Sequence, residues 1–222
     1  MYKRQALVII GWRPRYTAVF HWWISYSFAN SANILDGGDH ICVILTALLL
    51  PICLTDNRKW HWQVHEKSFP DSISFASRSI TAQVAIFVIK IQISFIYLHS
   101  AVAKTMVTEW MDGTALYYWF THPVFGANEF IETIISPLIY NEFFSTYITW
   151  LVIIFEFSLF AGILMDSKLK PYFMILGIFF HFLIFVIHGL FTFFLTMTGA
   201  LILYFAPTHT LEIIAKPVLI FK

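Results

Sequence analysis

Six ionisable side chains interrupt the long apolar runs of this sequence: Lys90, His99, Lys104, Glu156, His181 and His188. An ionisable group at membrane depth is costly unless paired or wetted, so each is a candidate for function. Burial disfavours the charged form of a lysine. A lysine freed of its proton acts as a general base towards a hydrophobic, weakly acidic substrate such as a quinol, and a neighbouring His relays the proton. Asp39 and His40 open an apolar run. They fall at the face where His99, Lys104 and His188 are expected, and His181 lies about 10 Å deeper at 1.5 Å per residue. The expected cluster is therefore Asp39, His40, His99, Lys104, His181 and His188. Lys90 and Glu156 fall nearer the midplane, where they suit an ion pair between helices. Each has a plainer alternative, since Lys104 can snorkel to the headgroups and each His can be a satisfied core side chain.

Other spacings carry less. His61 and His65 are four apart and precede Glu66, which suits two metal ligands on one helical face, but a second ligand pair is missing and no metal is expected. Cys42 and Cys53 would lie about 16 Å apart on one helix, too far for a disulfide, and read as core thiols. The sequence has no Gly-rich phosphate loop, CxxC, GxSxG or HExxH, so those enzyme classes have no support. A net charge of +1 without a dense basic patch gives no reason to expect nucleic acid.

The elements that must hold these residues follow from composition. The chain is 59% hydrophobic and 12% charged, far less charged than a soluble domain of this length. Hydropathy and breakers predict an all-α, polytopic transmembrane helical bundle of about six spans: 16–35, 41–55, 79–104, 142–165, 171–188 and 191–206. DGGDH (36–40) reads as a tight turn. Residues 105–141 read as an amphipathic segment along the membrane surface, broken at Pro123 and Pro137. Alternating the loops puts Lys3, Arg4, Arg13, Arg15, Arg58, Lys59, Lys67, Arg78, Lys168, Lys170, Lys216 and Lys222 on one side. That side is then cytoplasmic, and the acidic 105–141 segment faces outward. Residues 1–222 form a single domain on this reading. The opening MYKRQ resembles translated adapter remnants at contig ends, and Ala6–Trp12 reads like the tail of a helix. An N-terminally truncated frame, with its first helix missing, is the expectation.

The stretch IYLHSAVAKTMVTEWMDGTALYYWFTHPVFG (96–126) resembles the horizontally transferred transmembrane (HTTM) domain shared with vitamin K-dependent γ-glutamyl carboxylases. The shared pattern is an aromatic-rich helix, a lysine at its end, then a Trp, a Gly and an aromatic segment, here Tyr97, Lys104, Trp110 and Gly113. DGGDH and FFHFLIFVIHGLFTFFLTMTGALILYFAP (179–207) agree with it. WRPRYTAVFHWWISYSF and DGGDHI are most similar to the sporulation-delaying protein B branch. The carboxylase likeness implies that Lys104 deprotonates a quinol, which then reacts with O2. The carboxylase has a lysine pair before its Trp where this chain has one lysine. A catalytic His of the carboxylase falls close to Asp39–His40.

The candidate catalytic residues are thus Lys104, His40, Asp39, His99 and His181, and Trp110, Tyr97 and Glu156 are candidates to line a cofactor. The branch likeness implies a membrane protein needed to mature a secreted antimicrobial peptide toxin. Its partners would be the precursor peptide, a small accessory maturation protein and membrane lipid. The location would be the bacterial plasma membrane, multi-pass, with the active face outward. Two alternatives stand beside it: a quinol-dependent oxygenase or carboxylase, and a non-catalytic scaffold whose acidic 105–141 segment holds a cationic precursor.

Overall fold

A computed structural model describes residues 7–63 and 73–206. Among these the protein is all-α, with an isolated β-bridge between Trp12 and Trp60 and no strand. The helices are α1 (Pro14–Ser31), α2 (Gly37–Thr55), α3 (Ile73–Thr105), α4 (Thr108–Met111), α5 (Ala115–Phe120), α6 (Glu129–Ile139), α7 (Glu142–Phe160), α8 (Lys170–His188) and α9 (Phe191–Phe205). A 3-10 turn, Ala161–Leu164, follows α7. Among the described residues four helices are long and apolar enough to cross a membrane: α2, α3, α7 with its 3-10 turn, and α8. The first and last expected spans are helices too. However, α1 carries Arg15, His21, Ser25, Ser27, Asn30 and Ser31, and α9 is apolar but only 15 residues long.

The chain divides into two compact units, Met1–Ile89 with Ala206–Lys222, and Lys90–Phe205, the boundary falling within α3. In the first unit α1 packs on α2. Pro14 opens α1, where its missing N–H is no loss. DGGDH is not a tight turn: it is the start of α2. Asp36 is the N-cap, and its carboxylate accepts from the backbone N–H of Asp39 at 3.1 Å. The Asp39 carboxylate accepts in return from the N–H of Asp36 at 3.1 Å. This reciprocal box satisfies donors that the helix start would otherwise leave orphaned, so the helix tolerates two glycines in its first turn. Cys42 and Cys53 are free thiols on α2.

In the second unit α3, α7 and α9 each bury a stripe at helical spacing. The stripe of α3 is Ile93, Tyr97 and Ala101, that of α7 is Ser145, Thr149, Ile153, Glu156 and Leu159, and that of α9 is Met197, Ala200, Leu201 and Tyr204. α8 and α9 pack closely because Gly177 has no side chain: a Cβ there would meet Leu201 Cδ1 at 2.9 Å. Asn141 caps α7, its side chain accepting from the N–H of Phe144 at 3.0 Å. At the other end of α7 the carbonyl of Phe160 accepts from Ser94 Oγ at 2.9 Å and lies 3.0 Å from the hydroxyl of Tyr204. Helix-terminal carbonyls without water need such partners.

Of the 105–141 segment, Thr105 ends α3 and the rest holds α4, α5 and α6, with Pro123 between α5 and α6 as expected. Pro137 is not a break, since it lies inside α6. A proline there frees the carbonyl of Thr133, and the hydroxyl of Ser136 donates to that carbonyl at 3.2 Å.

Candidate functional site

The polar centre of the second unit is built on α3 and α7. Ser100 and Lys104 are one turn apart on α3 and so share a face. In a helix the Cα–Cβ bond tilts towards the N-terminus, which aims the Lys104 side chain back along α3. Its Nζ donates to Ser100 Oγ at 2.7 Å and to Glu156 Oε1 and Oε2 at 2.9 and 2.8 Å. Ser100 Oγ donates to Glu156 Oε1 at 3.1 Å. The side chain of Glu156 is 7% exposed and that of Lys104 is 19% exposed. Three acceptor oxygens thus face the three donors of the ammonium.

α3 ends at Thr105 and the chain turns through Met106 and Val107 into α4. That turn brings Trp110 back over the ammonium, with the ring centroid 5.1 Å from Lys104 Nζ, a cation–π contact. Gly113 then anchors the turn to α7. Its φ is +76°, in the left-handed region. A Cβ there would lie 2.6–2.8 Å from three atoms of Thr146. Its carbonyl accepts from Thr149 Oγ1 at 3.3 Å and Ser145 Oγ at 3.4 Å. Glycine is needed here on both counts.

One turn further into α3, Tyr97 is 2% exposed, and its hydroxyl lies 3.0 Å from Nε2 of His181, which is 3% exposed. The rings of Phe180 and Phe193 pack on His181 at 5.1 and 5.3 Å between centroids. His181 Nδ1 is buried without a hydrogen-bond partner, an unusual state for a polar atom in a core. His188, seven residues on, does a different job. Its Nδ1–H donates to the carbonyl of Phe125 at 2.6 Å, and its ring packs on Phe120 and Trp119. It ties the end of α8 to the loop after α5.

Of the residues singled out in the sequence, Lys104, Glu156 and Trp110 come together, and Tyr97 and His181 form a second pair. Glu156 pairs with Lys104 and not with Lys90. The reason is position along α3, where Lys90 and Lys104 are about 21 Å apart at 1.5 Å per residue. His99 is exposed on α3. Asp39 and His40 belong to the other unit, where the Asp39 carboxylate is committed to the α2 cap and His40 is exposed. His61 lies 3.6 Å from Asp56, whereas His65 and Glu66 fall outside the described residues. The same holds for Lys3, Arg4, Lys67, Lys216 and Lys222. Ser100 was missed, although its place one turn before Lys104 was a usable signal.

The carboxylase likeness implies a quinol and O2. As an ion pair Lys104 is not a base towards a quinol or any other weak acid, because its charged Nζ donates to Glu156 and Ser100. What the arrangement offers is a neutral, hydrogen-bonded ion pair under an indole, beside a histidine with one spare ring nitrogen.

No protein-family model matches the chain, and no solved structure matches it. Two curated proteins of Bacillus subtilis (strain 168) do. An uncharacterized protein, YitO, is 39% identical over 201 residues, which is 90% of this chain and 63% of that protein. The chain thus spans less than two thirds of the length of the relatives it matches. Along nine tenths of its own length it is similar to the sporulation-delaying protein SdpB, at 41% identity over 203 residues, 91% of this chain and 61% of that protein.

Proposed function

We propose that the chain is part of a bacterial plasma-membrane protein of the sporulation-delaying protein B type, needed to mature a secreted antimicrobial peptide. The observation that carries this reading is the 41% identity to SdpB over 91% of the chain. The four membrane-length apolar helices support the location, and the one-sided Lys and Arg of the sequence support an outward-facing 105–141 segment. The Lys104–Glu156–Ser100 group under Trp110 is the working centre. Ser100, Lys104 and Trp110 lie in the segment, 96–126, that also carries the family likeness, and Glu156 reaches them from α7. The group keeps an ion pair within spans of a kind where ionisable groups are rare.

The chemical permission is limited and definite. Moving one proton across the 2.8 Å contact between Lys104 Nζ and Glu156 Oε2 turns the ion pair into an amine beside a carboxylic acid. The amine, once its lone pair turns from Glu156, takes a proton from a weakly acidic substrate group and becomes the ammonium again beside the substrate anion, with Glu156 left as the acid.

One observation favours a second reading. The ammonium is fully engaged by protein groups, as a structural clamp between α3 and α7 would be. In that case the protein is a scaffold that presents the precursor to other enzymes.

The test is mass spectrometry of the precursor peptide from cells with and without this protein, in the presence of its accessory partner. A mass change that needs the protein is expected, and identical peptides in both cultures would sink the reading. Lys104→Met separates the two forms: full conversion by an assembled K104M protein leaves the scaffold.

A further inference from the structure

The first unit carries a basic cleft that the peptide-maturation reading does not use. The loop before α1 is bonded to the loop after α2, with the N–H of Arg13 donating to the carbonyl of Lys59 and the N–H of His61 to that of Gly11, both at 2.8 Å. Trp12 and Trp60 form the bridge between them. This clasp fixes a cleft of about 240 Å³ lined by Arg13, Arg15, Tyr16, Asn57, Arg58 and Lys59, with Asp56 as its acid. Asp56 is matched by Arg58, whose Nη2 lies 2.7 Å from its carboxylate. Among the described lining residues Arg13, Arg15 and Lys59 are exposed and remain in excess over acid, with Arg15 Nη1 donating to the neutral Asn57 Oδ1 at 3.3 Å. Arg13 adopts φ +42°, a conformation bulky residues rarely hold, at the N-cap of α1. The first turn of α1 has no acidic residue, so its positive end adds to the field.

Position identifies the ligand class. The cleft follows Thr55, the last residue of a helix long and apolar enough to cross a membrane. Around it stand Trp12, Tyr16, Trp60 and Trp62, the last two-ring side chain 74% exposed, and Trp and Tyr gather at the level of lipid headgroups. The volume is below the roughly 300 Å³ at which pockets for drug-sized ligands begin, which suits a headgroup and not a whole small molecule.

We propose that this cleft binds the phosphate of an anionic phospholipid headgroup through Arg13, Arg15 and Lys59. Basic clefts at helix ends attract anionic lipid in this way.

The test is native mass spectrometry of the whole chain from detergent micelles doped equally with phosphatidylglycerol and phosphatidylcholine. The expected result is preferential retention of phosphatidylglycerol. The triple variant R13Q/R15Q/K59Q should lose about a hundredfold of that retention, at about fivefold per charge, with phosphatidylcholine unaffected and helicity by circular dichroism kept. The pair K168Q/K170Q, also basic and on the same expected side, should change nothing. Equal retention of the two lipids, or the same loss in K168Q/K170Q, overturns the proposal. Retention of inorganic phosphate by the lipid-free chain, lost in the triple variant, with no preference between the two lipids reassigns the cleft to a free anion and overturns it also. If the triple variant does not fold, R15Q and K59Q singly should each cost about fivefold, and no loss in either overturns the site.

Discussion

Lys104→Met keeps the aliphatic stem and removes the ammonium, so it asks what the Lys104–Glu156 pair is worth. Glu156 is left with the Ser100 hydroxyl at 3.1 Å and a side chain 7% exposed. Removing one partner of a buried pair strands the other, at about 3–5 kcal/mol. For a chain of this size 1 kcal/mol moves the melting temperature by roughly 2–4 °C, so K104M should melt roughly 6–20 °C lower. Glu156→Gln should cost less. The amide still accepts from Ser100 and Lys104, and the Lys104 side chain is 19% exposed, so its head can reach polar surroundings. A loss of about 1–2 kcal/mol follows, the range for one charged hydrogen bond weakened but not orphaned. The assay is thermal melting of the purified chain in one detergent at one pH, followed by far-UV circular dichroism. The reasoning fails if K104M melts within the error of the parent chain, or if E156Q is the costlier variant.

Three further outcomes follow from single contacts. Gly113→Ala meets both a positive φ and Thr146 at 2.6–2.8 Å, whereas Gly189→Ala meets a positive φ of 74° and nothing within 4 Å; G189A should cost about 1–2 kcal/mol and G113A about 1–3 kcal/mol more, read by the same melts. Tyr97→Phe and His181→Phe each orphan a buried partner at about 1–3 kcal/mol, but the double variant removes both polar groups and should cost clearly less than the sum; strict additivity would deny the Tyr97–His181 bond. Partial burial pushes the Asp56 carboxyl up, but the hydrogen bonds from Arg58 outweigh it and hold it below its ordinary range, with His61 adding to the effect. A depressed carboxylate stabilises above its unfolded pKa and loses that contribution as pH falls through the folded value. The deficit of Asp56→Asn, under about 1 kcal/mol, should therefore be present above about pH 4 and fade below it, as melts at pH 7 and pH 3 would show.

Helix boundaries were legible where a residue does one local job. Asn141 caps α7, Pro171 sits in the first turn of α8, and Gly189 ends α8 in the left-handed region. They were misread where one residue type serves two structures. Two adjacent glycines in DGGDH look like a turn until Asp36 and Asp39 are seen to bond each other's backbone. Pro137 looks like a stop until Ser136 is seen to serve the carbonyl that Pro137 frees. The candidate site was legible as a set of expensive residues, since cost depends only on residue type and hydropathy. Its pairing was not legible, because depth along a helix does not say which way a long side chain runs. Lys104 stands in the last turn of α3, where snorkelling away from the helix body is the default. Its bond to Ser100 at 2.7 Å shows it running inward instead, and that puts it opposite Glu156.

That inward turn bears on whether the pair is there for stability. Replacing a whole buried ion pair with apolar side chains of similar volume is often neutral, or stabilising by about 1–4 kcal/mol, because neither charge then has to be desolvated. Lys104→Leu with Glu156→Leu leaves only Ser100 of the group polar, and Ser100 can donate to a carbonyl of its own helix. The double variant should melt at or above the parent chain while each single variant melts below it. A clamp that exists for stability would be improved by that change, and a scaffold would go on presenting the precursor. A proton-handling pair would be abolished. The informative outcome is a K104L/E156L protein that melts no lower than its parent and yields no mature peptide, which would assign the pair to chemistry. Full yield from the same protein would refute the catalytic role of Lys104.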